Sequence, residues 1–281
     1  MNAIEIKGLE KSYKNFHLGP LDLSLPSGCI MGLVGENGAG KSTTIKLILD
    51  MIERDQGHIR LLGVDWEDPA YTLVKEDVGV VLDEAGFPEC MTAKQIGQVM
   101  KHTFSRWDEE RYNSYLHKLS IPLDKEFGKY SRGMKMKQNI AVALSHHPKL
   151  LILDEATSGL DPVVRDQVVD IFYEFTREEG HSILISSHIV SDLEKLCDYI
   201  AFLHQGKLLL CEEKDQLLER YGVIHCSKAQ LEELVPDAVL GKRVSPYGVD
   251  AIVRREQIPE GMPMESVGIE ELFVFMVQQY K

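Results

Sequence analysis

Chemistry is concentrated first in Gly35-Glu36-Asn37-Gly38-Ala39-Gly40-Lys41-Ser42-Thr43, between an apolar run (Cys29 to Val34) and an amphipathic one (Thr43 to Ile52). The spacing fits G-x-x-x-x-G-K-[ST] with a strand running in and a helix running out. Glycines at these positions let backbone amides close round a polyphosphate, because a Cβ would block both left-handed turns and close approach. The helix N-terminus then meets the anion with unpaired N–H groups and the positive end of its dipole. Lys41 is expected on the β- and γ-phosphates, and the Ser42 hydroxyl on Mg²⁺, which takes few protein ligands. The stretch implies a nucleoside triphosphate as ligand.

A second concentration is Asp154-Glu155, at the end of the apolar run Leu150-Leu151-Ile152-Leu153. Such a run reads as a parallel strand buried on both faces. Two adjacent carboxylates there are costly unless a cation compensates them. Asp154 is therefore expected on the Mg²⁺ side, and Glu155 in place to orient or deprotonate an attacking water. His188 directly follows another buried strand, Ser182 to Ser186. A lone histidine is commonly structural, but the carboxyl end of a core strand is where open α/β sheets bind ligands. The acidic pair Asp83-Glu84 likewise closes the apolar run Val78 to Leu82. Tyr13, taken alone, reads as an aromatic residue at a strand end.

These groups need a scaffold. Ala3 to Leu9 and Leu21 to Leu25 alternate apolar and polar residues, as antiparallel strands with one wet face do. His58 to Leu62 reads as a further strand. From Thr92 to about Leu119 the pattern is helical in two pieces, broken near Ser105 to Trp107, with Asp108 as an N-cap. Ser131 caps a third helix running to about His147, stopped by Pro148. Asp161-Pro162 opens a helix reaching about Glu179, and Gln205-Gly206 marks a hairpin. The insert over about 84–147 reads as a helical subdomain beside the main sheet. Beyond about Asp215 the chain looks less regular, with helix-like Ala229 to Val235 and Ile269 to Gln279. That last segment is too short to span a bilayer and is expected to dock on its own domain or on a second subunit.

With 281 residues, 44% hydrophobic and 27% charged, the chain can bury a sizeable core. Its formal charge of −13 argues against a general nucleic-acid binder, which would present a basic face. Five scattered cysteines without a C-x-x-C pair fit reduced thiols. The start shows no charged n-region followed by an apolar h-region, and no apolar run approaches a membrane span, so any work at a membrane is expected to go through a partner.

Together these residues resemble the ATP-binding cassette family, in particular the nucleotide-binding subunits of ABC transporters, over about residues 3 to 215. Gly35 to Thr43 is similar to its Walker A motif and Leu150 to Glu155 to its Walker B with catalytic glutamate. Ser158-Gly159-Leu160-Asp161 resembles the D-loop, His188 the switch histidine, and Tyr13 the aromatic residue that stacks on adenine. Tyr130-Ser131-Arg132-Gly133-Met134 occupies the place of the signature L-S-G-G-Q, keeping Ser131 and Gly133 and losing the terminal glutamine. The glutamine that touches Mg²⁺ and relays to the membrane partner is replaced by Asp83, and the usual proline after Glu155 is Ala156. The variants resemble bacterial subunits that pair with ABC-2-type permeases, often in bacitracin- or lantibiotic-type exporters.

The resemblance implies an α/β fold of the P-loop NTPase class and ABC type. It would have a mostly parallel core sheet, an antiparallel β subdomain and a helical subdomain in a domain over 1–215, then a small C-terminal extension over 216–281. It implies ATP and Mg²⁺ as ligands, ATPase activity, a second identical or similar ATPase subunit, an integral membrane permease as partner, and a place at the cytoplasmic face of the membrane. In the family two subunits face head to tail, so that nucleotide on Lys41 and Ser42 of one is covered by Ser131 and Gly133 of the other. Two alternatives are weighed. A soluble ABC ATPase acting on nucleic acid or ribosomes conflicts with the acidic balance, the single cassette and Walker motifs only about 110 residues apart. A slow regulatory ATP switch is opposed by Glu155 and kept open by the departures at Asp83 and in the signature.

Overall fold

The computed structural model describes residues 1–83, 86–246, 248–259 and 261–278. The chain runs β1 (Asn2–Tyr13), β2 (Phe16–Pro26), β3 (Ile30–Val34), α1 (Lys41–Ile48), β4 (Gln56–Leu61), β5 (Val64–Asp65), α2 (Tyr71–Val74) and β6 (Val78–Val81). The helical insert follows: α3 (Ala93–Thr103), α4 (Glu109–Lys118) and α5 (Arg132–Leu144). After it come β7 (Leu150–Asp154), α6 (Pro162–Thr176), β8 (Ser182–Ser187), α7 (Val190–Leu196), β9 (Tyr199–His204), β10 (Lys207–Glu213) and α8 (Lys214–Arg220). The remainder is β11 (Tyr221–Cys226), α9 (Lys228–Glu232), β12 (Val239–Ser245), β13 (Gly248–Arg254), β14 (Glu265–Ser266) and α10 (Ile269–Gln278).

The central sheet has the order β10-β9-β3-β8-β7-β6. All its pairs are parallel except the β9–β10 hairpin, which turns on Gln205 and Gly206, both at positive φ. Every residue of β3, β7 and β8 is buried, because layers cover both faces of the sheet. The period-2 alternation survives inside these uniformly apolar runs. Leu150 and Ile152 of β7 pack with the antiparallel sheet β2-β1-β4-β5 and with Ile45, Leu47 and Ile48 of α1. Leu151 and Leu153 point the other way, into a core shared with the helical insert, α6 and α10.

The insert is set by its caps. Thr92 and Gln95 form a capping box on α3. The Asp108 carboxylate accepts from the Arg111 amide, which holds its carboxyl below the usual carboxylate range. The α3–α4 crossing requires Gly97, since a Cβ there would stand 2.6 Å from the Tyr112 ring. The Tyr112 hydroxyl donates to the Ala93 carbonyl at 2.8 Å, tying the two helices together.

Three expectations change. Helix α5 stops at Leu144, because Ser145 turns its Oγ onto the Ala141 carbonyl at 2.6 Å and His147 takes φ 56° ahead of Pro148. Helix α6 stops at Thr176, the chain needing residues 177–181, with Gly180 at φ 80°, to reverse into β8. Beyond Asp215 the chain is regular: an antiparallel sheet β12-β13-β11-β14 encloses a small core of Ile224, Leu234, Val249, Ala251 and Val253. Its strands carry charges among the apolar residues (Lys242, Arg243, Asp250), which blurs the alternation. Helix α10 docks on its own chain, burying Leu272, Phe273 and Phe275, with the Phe273 and Phe202 rings edge to face at 5.1 Å.

Candidate nucleotide site

The parallel strands β3, β6, β7 and β8 put their carboxyl ends on one edge of the sheet, and the loops leaving them carry the residues singled out above. Between β3 and α1 the loop Gly35 to Gly40 is pinned from behind. A Cβ at Gly35 would stand 2.6 Å from the Leu203 carbonyl, and the Gly206 amide donates to the Ala39 carbonyl at 2.9 Å. Gly40, at φ 112°, is the N-cap residue of α1; no side chain caps that helix, and its first turn holds no acid. Its leading amides are thus uncommitted to side chains, the arrangement that receives an anion. Glu36, Asn37, Gly38 and Ser42 are exposed on this rim, Ala39 is buried and Thr43 half-buried.

The Lys41 side chain is only 6% exposed and lies back across the loop, its Nζ donating to the Gly35 carbonyl at 2.8 Å. It stands 3.4 Å from Glu155 Oε1, while Glu155 Oε2 is 2.7 Å from His188 Nδ1. A single carboxylate therefore links the lysine after β3 to the histidine after β8. Glu155 reaches this position through a backbone at φ 53°, with its amide donating to the Ser186 carbonyl at 3.1 Å. Asp154 is 5% exposed, and its Oδ1 accepts from Ser186 Oγ at 2.5 Å. Ser186 was not singled out from the sequence; the trace it leaves is hydroxyl residues at the end of an apolar run, just before His188.

A second group lies at the start of α5. Ser131 Oγ accepts from the Met134 amide at 3.2 Å, and Gly133 faces Leu160, whose Cδ2 is 3.5 Å from where a Cβ would be. Asp83 accepts from Arg132 Nη2 at 2.7 Å. Its neighbour Glu84 falls outside the described residues. Tyr130 is buried, which pushes its phenol pKa up, and it donates to the Pro122 carbonyl at 2.7 Å. Tyr13 is 49% exposed at the tip of the β1–β2 hairpin. That hairpin reaches the phosphate loop through Phe16, whose ring comes within 3.1 Å of where a Cβ at Gly40 would be.

A family model described as ABC transporter matches residues 18–158. The chain belongs to the ABC transporter family. Within it, the chain is an ATP-binding subunit with the ATPase domain of the family, as the motif order implied. It is 35% identical over 215 residues to the lantibiotic transport ATP-binding protein SrtF of Streptococcus pyogenes, covering 75% of this chain and 91% of that one. It is 33% identical over 210 residues to the bacitracin transport ATP-binding protein BcrA of Enterococcus faecalis, covering 74% and 68% respectively. A solved structure titled as the ATP-binding subunit of an ABC transporter superposes with TM-score 0.68 at 27% identity, covering 76% of this chain and 91% of that one. The ABC fold expected from the sequence is thus the fold observed, with parallel, antiparallel and helical parts in place. Among the described residues no helix is long and apolar enough to cross a membrane.

Proposed function

We propose that this subunit binds Mg²⁺-ATP at the carboxyl edge of its central sheet and hydrolyses it to drive a separate ABC-2-type permease, as an exporter. The observation that carries the ATPase roles is the Lys41–Glu155–His188 constellation against an uncapped α1 N-terminus. Loop amides from Gly35 to Thr43 and Lys41 hold the phosphates, and Tyr13 stacks on the base. Glu155 serves as the base toward the attacking water, and His188, hydrogen-bonded to it, holds its orientation and senses the γ-phosphate. The donor set fits Mg²⁺: Ser42 and Asp154 are hard oxygen ligands, Ser186 orients the Asp154 carboxylate, and Asp83 approaches from the end of β6. When bound, the metal neutralises charge developing on the phosphoryl group.

Ser131 and Gly133 lie at the exposed start of α5, in the second group of residues, which suits a role on nucleotide held by a second subunit. In that arrangement the helix N-terminus and hydroxyl act much as an arginine finger does. A role in transport is supported by the names of the relatives, a lantibiotic and a bacitracin transport ATP-binding protein; export is the direction we propose. The helical insert, joined to the nucleotide edge through Asp83, is the part suited to turn against a permease at the cytoplasmic face of the membrane. The test is sedimentation: the protein should pellet with membranes only when its permease is coexpressed, and charge substitutions on the exposed face of α3 should abolish pelleting while ATP binding persists. A protein that stays in the supernatant with its permease, but comigrates with ribosomes or DNA, would overturn the reading.

A further inference from the structure

Arg132 joins segments that the sequence keeps far apart. Its Nη2 donates to Asp83 Oδ1 at 2.7 Å. The same side chain lies over Gly159 in the loop after Glu155, where a Cβ would stand 3.2 Å from both Cδ and Nη1. With Gly133 facing Leu160, the first turn of α5 is held both to the end of β6 and to the loop that follows β7. The Arg132 and Asp83 side chains are 55% and 39% exposed, so their bond is an exchangeable surface pair.

We propose that Arg132 is a positioning residue that holds Asp83 while no nucleotide is bound, and that Arg132 and Mg²⁺ compete for the Asp83 carboxylate. The proposal rests on the reading of Asp83 given above. A guanidinium on Oδ1 takes up part of the carboxylate's charge and one of its oxygens, and a divalent cation at Asp83 repels the guanidinium, so each weakens the other's hold. The two are therefore antagonistic, and linkage makes the coupling reciprocal. Arg132, once it lets go of Asp83, would leave the first turn of α5, capped by Ser131, with one tie fewer to the end of β6. The arginine in a signature glycine's place and the aspartate in a glutamine's place are, in this chain, partners.

The experiment is a Mg²⁺ titration of the binding of a non-hydrolysable ATP analogue to the full chain, read by calorimetry. Arg132→Ala should lower the Mg²⁺ concentration at half-saturation about two- to fivefold, the span expected for releasing an exposed ion pair. Arg132→Lys, which keeps the charge, should restore most of the wild-type value. On an Asp83→Asn background the Arg132→Ala effect should vanish. Thermal unfolding without nucleotide verifies that each variant is folded. An unchanged or raised midpoint in folded Arg132→Ala that binds the analogue, or a shift that persists with Asp83→Asn, overturns the competition and leaves the ATP-binding reading standing. Failure of the wild-type chain to bind the analogue at all overturns both.

Discussion

Replacing Ser186 by alanine tests whether the metal-side carboxylate is held by its own strand neighbour. Ser186 is fully buried, and its Oγ donates to Asp154 Oδ1 at 2.5 Å while receiving the Glu155 amide at 3.2 Å. The amide keeps a second acceptor, the Ser186 carbonyl at 3.1 Å, so the substitution leaves no orphan N–H. The loss is therefore one hydrogen bond to a charged group that is itself buried, worth about 1.5–3 kcal/mol. Midway, at about 2 kcal/mol, the unfolding midpoint should fall by roughly 3–6 °C for a chain of this size. Differential scanning calorimetry without nucleotide measures the shift. Titration with Mg²⁺-ATP should then recover part of it, because a cation beside Asp154 supplies the compensation that the hydroxyl had supplied. A shift below about 1 °C, or equal loss with and without Mg²⁺-ATP, would refute the role given to Ser186.

Two further outcomes are expected. If nucleotide is shared between subunits, mixing inactive Lys41→Ala protein with inactive Ser131→Arg protein puts both lesions in one site and leaves the other whole, so phosphate release should reappear; mixed dimers without activity would contradict this. In the C-terminal sheet, the His225 ring lies 2.7 Å from Asp250 and 3.6 Å from Glu265, and the hydrogen bond to Asp250 raises its pKa. A raised folded-state pKa stabilises fully below the unfolded value and is lost as pH climbs through the folded one. His225→Gln should therefore flatten the decline in stability from about pH 6 upward, by no more than an exposed pair contributes; a slope equal to wild type would remove the pair from that role.

The nucleotide edge was legible because its chemistry is local. A glycine loop between a strand and a helix, and two carboxylates closing an apolar strand, each report their surroundings within a few residues. The caps Asp108 and Ser131 were legible for the same reason, since each satisfies an amide three residues on. Ser186 was not legible, because its importance comes from a hydroxyl reaching Asp154 across two parallel strands. Arg132 was not, because Asp83 is 49 residues away and nothing in either neighbourhood announces the pairing. The C-terminal sheet escaped because its strands carry charges among their apolar residues and enclose only a small core, whereas β7 and β8 are covered on both faces and read as unbroken apolar runs.

The most direct measurement of the proposed mechanism is ATP turnover by Glu155→Gln. Glutamine keeps the size of the side chain and removes the charge that stands 3.4 Å from Lys41 and 2.7 Å from His188. Loss of a positioned general base lowers the chemical step about 10²–10⁴-fold. The purified variant should bind ATP, release phosphate at least about a hundredfold more slowly than wild type, and collect as an ATP-dependent dimer in size-exclusion chromatography. Phosphate release near the wild-type rate would contradict the assignment of Glu155, and with it the mechanism built on the Lys41–Glu155–His188 constellation.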